Sequence, residues 1–116
     1  MKISLLQNAY SFLEEALAKA IKAERDNMHW KFAALNLVQS IELSLKEKLN
    51  REHPVLVFKN IDSPKNTVNL DTALNRLQKI GKIKFTQVDI STISKASRLR
   101  NEIVHFEFDL DAKEIK

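Results

Sequence analysis

Arg100, Asn101 and His105 stand close together in the run Arg98-Leu99-Arg100-Asn101-Glu102-Ile103-Val104-His105. On a helix, residues four apart share a face, so Asn101 and His105 project together, with Ser97 one turn earlier. Arg100 lies about 100° around from Asn101. Leu99, Ile103 and Phe106 fall elsewhere on the wheel and would anchor the rod. A guanidinium, an amide and an imidazole on one rigid element suit attack on a phosphodiester by its own 2′-hydroxyl. Imidazole takes and gives protons near neutral pH. Guanidinium stays charged and can hold a phosphate through two donors. The amide can orient either partner, and no metal ion is required. The spacing by itself is weakly specific. With five arginines and three histidines in the chain, roughly 0.4 Arg-x(4–6)-His pairs would arise by chance. An exposed arginine beside a packed histidine is the plainer account of such a pair.

The charge around this run points the same way. Between Arg76 and Arg100 there are seven basic residues (Arg76, Lys79, Lys82, Lys84, Lys95, Arg98 and Arg100) against one acid, Asp89. After His105 the sign reverses, with Glu107, Asp109, Asp111 and Glu114 against two lysines. A basic stretch leading into the candidate site would attract phosphate, and Lys95, Ser97 and Arg98 are its candidate RNA contacts. A merely solvated, lysine-rich helix face is the alternative.

The rest of the chain must position these groups, and its composition favours helices. One glycine and two prolines in 116 residues are too few for a turn-rich β fold. The chain fits one domain over residues 1–116, with 44% hydrophobic residues marking it as globular. No cysteine is present, which excludes disulfides and thiolate metal sites and fits a reducing compartment. No window approaches a membrane span. Gln7, Asn8, Glu14 and Glu15 interrupt what could be a signal-peptide core. A soluble cytosolic protein is the expectation.

Periodicity predicts four helices. The first runs from Ser4 to Asp26, burying Leu5, Leu6, Ala9, Phe12, Leu13, Ala16, Leu17, Ala20 and Ile21 on one face. The second is capped by Asp26 or Asn27 and runs to Asn50. Its inward stripe is Trp30, Ala33, Ala34, Leu37, Val38, Ile41, Leu45 and Leu49, while Lys31, Gln39, Glu42, Lys46 and Glu47 sit mostly outside it. The short connection makes the two an antiparallel hairpin. Residues 51–66 break the pattern, with Pro54 and Pro64 ending helices. The apolar run Val55-Leu56-Val57-Phe58 packs down on the bundle, or else forms a lone edge strand. A third helix starts near Thr67 or Asn69, carries Leu70, Ala73, Leu74, Leu77 and Ile80, and stops at a left-handed Gly81. The fourth begins between Thr86 and Asp89, continues to Phe106, and carries the Arg100–His105 run. Asp111-Ala112-Lys113-Glu114 has the spacing of a capping box and would open a further helix, which implies a native chain longer than 116 residues.

With its order of helix pair, loop, short helix and motif helix, the chain resembles the HEPN superfamily (higher eukaryotes and prokaryotes nucleotide-binding). The signature of that family is Arg, usually a polar residue, three to five more residues, then His, on a late helix of a bundle. Arg100-Asn101-Glu102-Ile103-Val104-His105 fits it, polar second position included. The run Phe106-Glu107-Phe108-Asp109-Leu110-Asp111 is also similar to the family's chain after its histidine. Outside the motif the likeness is one of pattern. The resemblance implies an all-α fold, an antiparallel four- to five-helix bundle. It also implies a metal-independent endoribonuclease of the toxin or phage-defence kind, needing no cofactor. Arg100 and His105 would be catalytic and Asn101 supporting, in a homodimer whose two motif copies face each other across one cleft. Many toxin members pair with a nucleotidyltransferase antitoxin and carry a tyrosine two residues after the histidine. Here Glu107 stands at that position, and the chain's single tyrosine is Tyr10. Other members bind nucleotides or protein partners without cleaving anything, and a non-catalytic module is the alternative implied here.

Other candidates carry less. Arg25-Asp26-Asn27-Met28-His29 is a second Arg/His pair, but it falls in the first interhelical turn, where capping and packing explain it. The three histidines, His29, His53 and His105, lie on different elements, without His-x(3)-His or Glu-x-x-His spacing, so a metal site is not expected. Trp30 with Phe32 could stack on a base, yet a tryptophan on this helix reads as core. A phosphate-cradling Gly-rich loop and a serine nucleophile elbow are both missing.

Overall fold

The computed structural model describes residues 2–60, 62 and 66–105, with His105 described in its backbone alone. Four α-helices carry these residues: α1 (Leu5–Ala23), α2 (His29–Glu52), α3 (Leu70–Lys79) and α4 (Gln87–His105), with a 3₁₀ turn at Pro54–Val57. The expected all-α class is therefore observed. Phe106 and the capping-box sequence at residues 111–114 lie outside the described residues. None of the described helices is long and apolar enough to cross a membrane.

Local chemistry sets three of the helix starts; α2 instead has Met28 at its N-cap with no side-chain cap bond, not Asp26 or Asn27 as expected. Ser4 and Gln7 close a reciprocal capping box: the Gln7 amide donates to Ser4 Oγ at 3.1 Å, and the Ser4 amide donates to Gln7 Oε1 at 3.0 Å. Asn69 caps α3 by accepting from the Thr72 amide at 2.8 Å. At α4, Thr86 and Asp89 exchange the same pair of bonds, at 3.1 and 3.2 Å. Asp26 accepts from the Met28 amide at 3.1 Å, so the Arg25–His29 segment does turn chemistry, as its place between two helices suggests.

α2 is the central element. On one side it packs along α1; on the other it meets the 3₁₀ turn, α3 and α4. The α1–α2 pair is antiparallel, since Trp30 clusters with Ala23 while Ser40 reaches Ala9. Ala9, Ala16 and Ala23 recur every seven residues and are all buried. Their small side chains let the backbones close until the Ser40 hydroxyl donates to the Ala9 carbonyl at 2.7 Å. The predicted α1 stripe is wider than the face α2 covers: Leu6, Leu17 and Ile21 are exposed, the last two at 59% and 70%. Trp30 is core at 6% exposure.

The main core lies across α2 from α1. Leu49, Leu56, Val57, Val68, Ala73 and Leu77 form one buried cluster, and Leu70, Leu74 and Ile93 form another against Ile41, Leu45 and Phe85. The apolar run at 55–58 packs down, as expected, through Leu56 and Val57. Its chain is a 3₁₀ turn followed by an isolated antiparallel bridge between Phe58 and Thr67, so the edge-strand alternative reduces to one residue pair. Arg76 fastens this segment from α3, donating to the carbonyls of Leu56, Phe58 and Lys59 at 2.7, 2.6 and 3.2 Å.

The end of α3 corrects a second expectation. Gly81 has no positive φ; the left-handed residue is Lys82, at φ 53°. Glycine answers a different demand at position 81. A Cβ there would sit 3.0 Å from the Leu77 carbonyl oxygen, so the tight approach of the turn to the helix end selects the residue without a side chain.

Candidate nucleic-acid interface on α4

α4 leaves the Thr86 cap and packs against α2 and α3. Ile93 and Ile103 face inward at 8% and 7% exposure, ten residues apart along the rod. That inward stripe fixes the rotation of the helix. Arg100 then points toward α2 and is partly covered, while Asn101 and Glu102 face solvent. His105 is the last residue of α4, one turn beyond Asn101 on the helix. Its side chain is not among the described groups, so the separation of the guanidinium and the imidazole carries no distance.

Arg100 is not an isolated cation. Its Nη1 stands 3.8 Å from Oε1 of Glu42 on α2, and its side chain keeps 40% of its exposure. That separation is an ion pair, longer than a hydrogen bond. The other carboxylate oxygen of Glu42, Oε2, is 3.4 Å from Nζ of Lys46 one turn along the same helix. Lys46 also donates to Thr67 Oγ1 at 3.0 Å. Glu42 and Lys46 are both buried, at 6% exposure each. Both lie off the apolar stripe of α2, as expected, yet neither reaches solvent. The physical reason is that α2 is covered on more than one side, so a polar residue off the apolar stripe still meets another element. A buried charge needs a partner; Glu42 has two, one of them supplied by α4.

The arrangement has a definite electrostatic sense. One carboxylate lies between two cations, leaving a positive excess, and the partly exposed cation is Arg100. A guanidinium has five donors in a fork; a carboxylate beneath it restrains the side chain while its outer edge can face a ligand.

The surrounding candidates separate into distinct roles. Lys95 and Arg98 are exposed on α4, and Lys79, Lys82 and Lys84 are exposed on and after the end of α3. Arg76 belongs to the same basic stretch but spends its donors on three carbonyls of the fold. Ser97 turns toward α3, where its hydroxyl donates to Asp71 Oδ2 at 3.1 Å. Among the described residues no group of three or more His, Asp or Glu side chains is placed to hold a metal ion.

Comparison of the chain with family models, with curated proteins and with solved structures finds no match. The geometry of α4 and α2 therefore stands without a relative to interpret it.

Proposed function

We propose that the chain is a HEPN-type domain that binds RNA along α4 and cleaves it without a metal ion, in the manner of toxin or phage-defence nucleases. The observation that supports this best is the state of Arg100: a half-covered guanidinium at the protein surface, restrained from beneath by the buried Glu42 carboxylate. An arginine ordered in this way has lost part of its rotamer freedom before any ligand arrives, which favours holding a phosphate in one geometry. Asn101 stands exposed beside it, free to orient the sugar or the imidazole.

In the proposed reaction Arg100 holds the non-bridging oxygens of the scissile phosphate. His105 accepts the 2′-hydroxyl proton as the 2′-oxygen bonds to phosphorus. The bond from phosphorus to the 5′-oxygen breaks, and an imidazolium returns a proton to that leaving oxygen. A 2′,3′-cyclic phosphate and a 5′-hydroxyl result, so atoms and protons balance without an outside reagent. Lys95 and Arg98 would meet flanking phosphates, and each would add to the salt dependence of binding. Glu42 serves as a positioning residue for Arg100.

The test is cleavage of RNA by the purified chain in EDTA, compared with His105→Ala and Arg100→Ala. The expected loss is at least about 100-fold for His105→Ala, the usual range for removing a general acid–base group. Undiminished cutting by the histidine variant removes this mechanism. A second reading, a nucleotide- or protein-binding module without catalysis, is favoured by the same ion pair, because Glu42 already offsets part of the Arg100 charge. It predicts RNA or nucleotide binding that depends on Arg100, with no cleavage by the wild-type chain.

A further inference from the structure

α1 is apolar over far more of its circumference than α2 covers. Its packed seam runs through Leu5, Ala9, Phe12, Ala16 and Ala23. A second seam runs through Leu6, Tyr10, Leu13, Leu17 and Ala20, with Ile21 beside it and Ile3 just before the N-cap. The steps along it are four, three, four and three residues, the alternation of a coiled-coil stripe. The two seams are separated by roughly 90° around the helix, and Leu13 and Ala20, on the edge of the second seam nearer α2, are partly covered. The outer members are exposed: Ile3 at 50%, Leu6 at 37%, Tyr10 at 58%, Leu17 at 59% and Ile21 at 70%.

We infer that this outer seam of α1 is a self-association surface, pairing antiparallel with α1 of a second copy of the chain. Three observations favour that occupant. First, Leu6, Tyr10, Leu17 and Ile21 are all exposed on one helix, an apolar strip of roughly 500 Å², in the upper part of the range for a monomer's largest and often functional patch. Second, the stripe is self-complementary when reversed. Tyr10 of one copy meets Leu13 of the other and Leu6 meets Leu17, both in one register. Third, that register opposes no like charges on the flank: Glu14 of one copy comes nearest to Gln7 of the other. The antiparallel sense also sets the helix dipoles against each other favourably. The two-fold contact closes on itself and leaves no open edge for further growth. Because it uses α1 alone, it leaves Arg100, Asn101 and the rest of α4 uncovered, and it is a different pairing from the motif-to-motif dimer that the HEPN resemblance implies.

Sedimentation of the full chain across a concentration series tests this. A dimer at tens of micromolar is expected for the wild type, and a monomer with unchanged helical circular dichroism for Tyr10→Glu with Leu17→Glu. These side chains are exposed in the single chain, so the double change need not disturb its fold. The register has its own measurement, since the chain contains no cysteine. A mixture of Tyr10→Cys and Leu13→Cys chains, oxidised at low concentration, should yield the mixed disulfide in preference to either self-pair. A wild type that stays monomeric at hundreds of micromolar overturns the inference. So does a dimer that survives both glutamates, or one in which Tyr10→Cys links chiefly to itself.

Discussion

The two sides of α2 solve the packing problem in opposite ways. Toward α1 the contact is close, centred on buried alanines and one serine hydroxyl, and it leaves Leu6, Leu17 and Ile21 of α1 outside it. Toward α4 the contact includes a buried glutamate and a buried lysine, and it brings in an arginine from the facing helix. The first side gives close approach and surplus apolar surface. The second gives a fixed charge arrangement at a net cost in desolvation. The presence of Glu42 and Lys46 there is consistent with a chain that gives up packing quality on one face of α2 to hold a cation in place.

The largest effect expected from breaking this contrast is on the charged side. Glu42→Ala leaves Lys46 buried with the Thr67 hydroxyl and no anion, and should cost about 3–5 kcal/mol of stability, the usual penalty for orphaning a buried charge. Replacing both partners, Glu42→Leu with Lys46→Met, should recover most of that loss in a urea melt, because neither desolvated charge remains. It should nevertheless weaken RNA binding through Arg100, which then has no carboxylate beneath it. A double variant as unstable as Glu42→Ala would mean that the pair contributes to stability outright.

On the alanine side the expected effect is smaller and depends on which seam is touched. Ala16 is 5% exposed against α2. Ala16→Leu must push the two helices apart and should cost about 1–3 kcal/mol. Leu17, its neighbour in sequence, is 59% exposed, so Leu17→Ala in the monomer should move stability by less than about 0.5 kcal/mol. Equal losses from the two, in variants held monomeric by Tyr10→Glu, would show that the seams are not distinct.

Helix number and order are legible in the residues. They come from 3.6-residue periodicity and from caps whose donors and acceptors are local: Ser4 with Gln7, Asn69 with Thr72, Thr86 with Asp89. What cannot be read depends on partners far away in the chain. Glu42 and Lys46 look like surface residues because their burial is decided by Thr67 and Arg100, the latter 58 positions on from Glu42. The i, i+4 pairing of opposite charges on a helix already rich in apolar residues is the available signal, and it is equally the signal of an exposed pair. Gly81 misleads because a glycine after a helix has two possible causes, a left-handed φ or a close approach, and sequence does not tell them apart. The extra width of the α1 stripe is visible, but how much of it one neighbour covers is not. At the candidate site, the position of Arg100 some 100° from Asn101 is legible from helix geometry alone, whereas its carboxylate partner is not.

The smallest expected effect bears on Ser97, where sequence and geometry suggest different jobs. Its place one turn before Asn101 makes it a candidate RNA contact, yet its hydroxyl donates to Asp71 at the start of α3. The bond is exposed, so Ser97→Ala should change stability by no more than about 0.5 kcal/mol. If Ser97 serves only to tie α4 to α3, RNA affinity at fixed salt should also stay within experimental error, while Lys95→Ala and Arg98→Ala each lower it and flatten its salt dependence by about one ion. If RNA competes with Asp71 for the hydroxyl, affinity should fall in Ser97→Ala. The affinity of Ser97→Ala therefore distinguishes a helix tie from a ligand contact even though the change barely moves the stability of the fold.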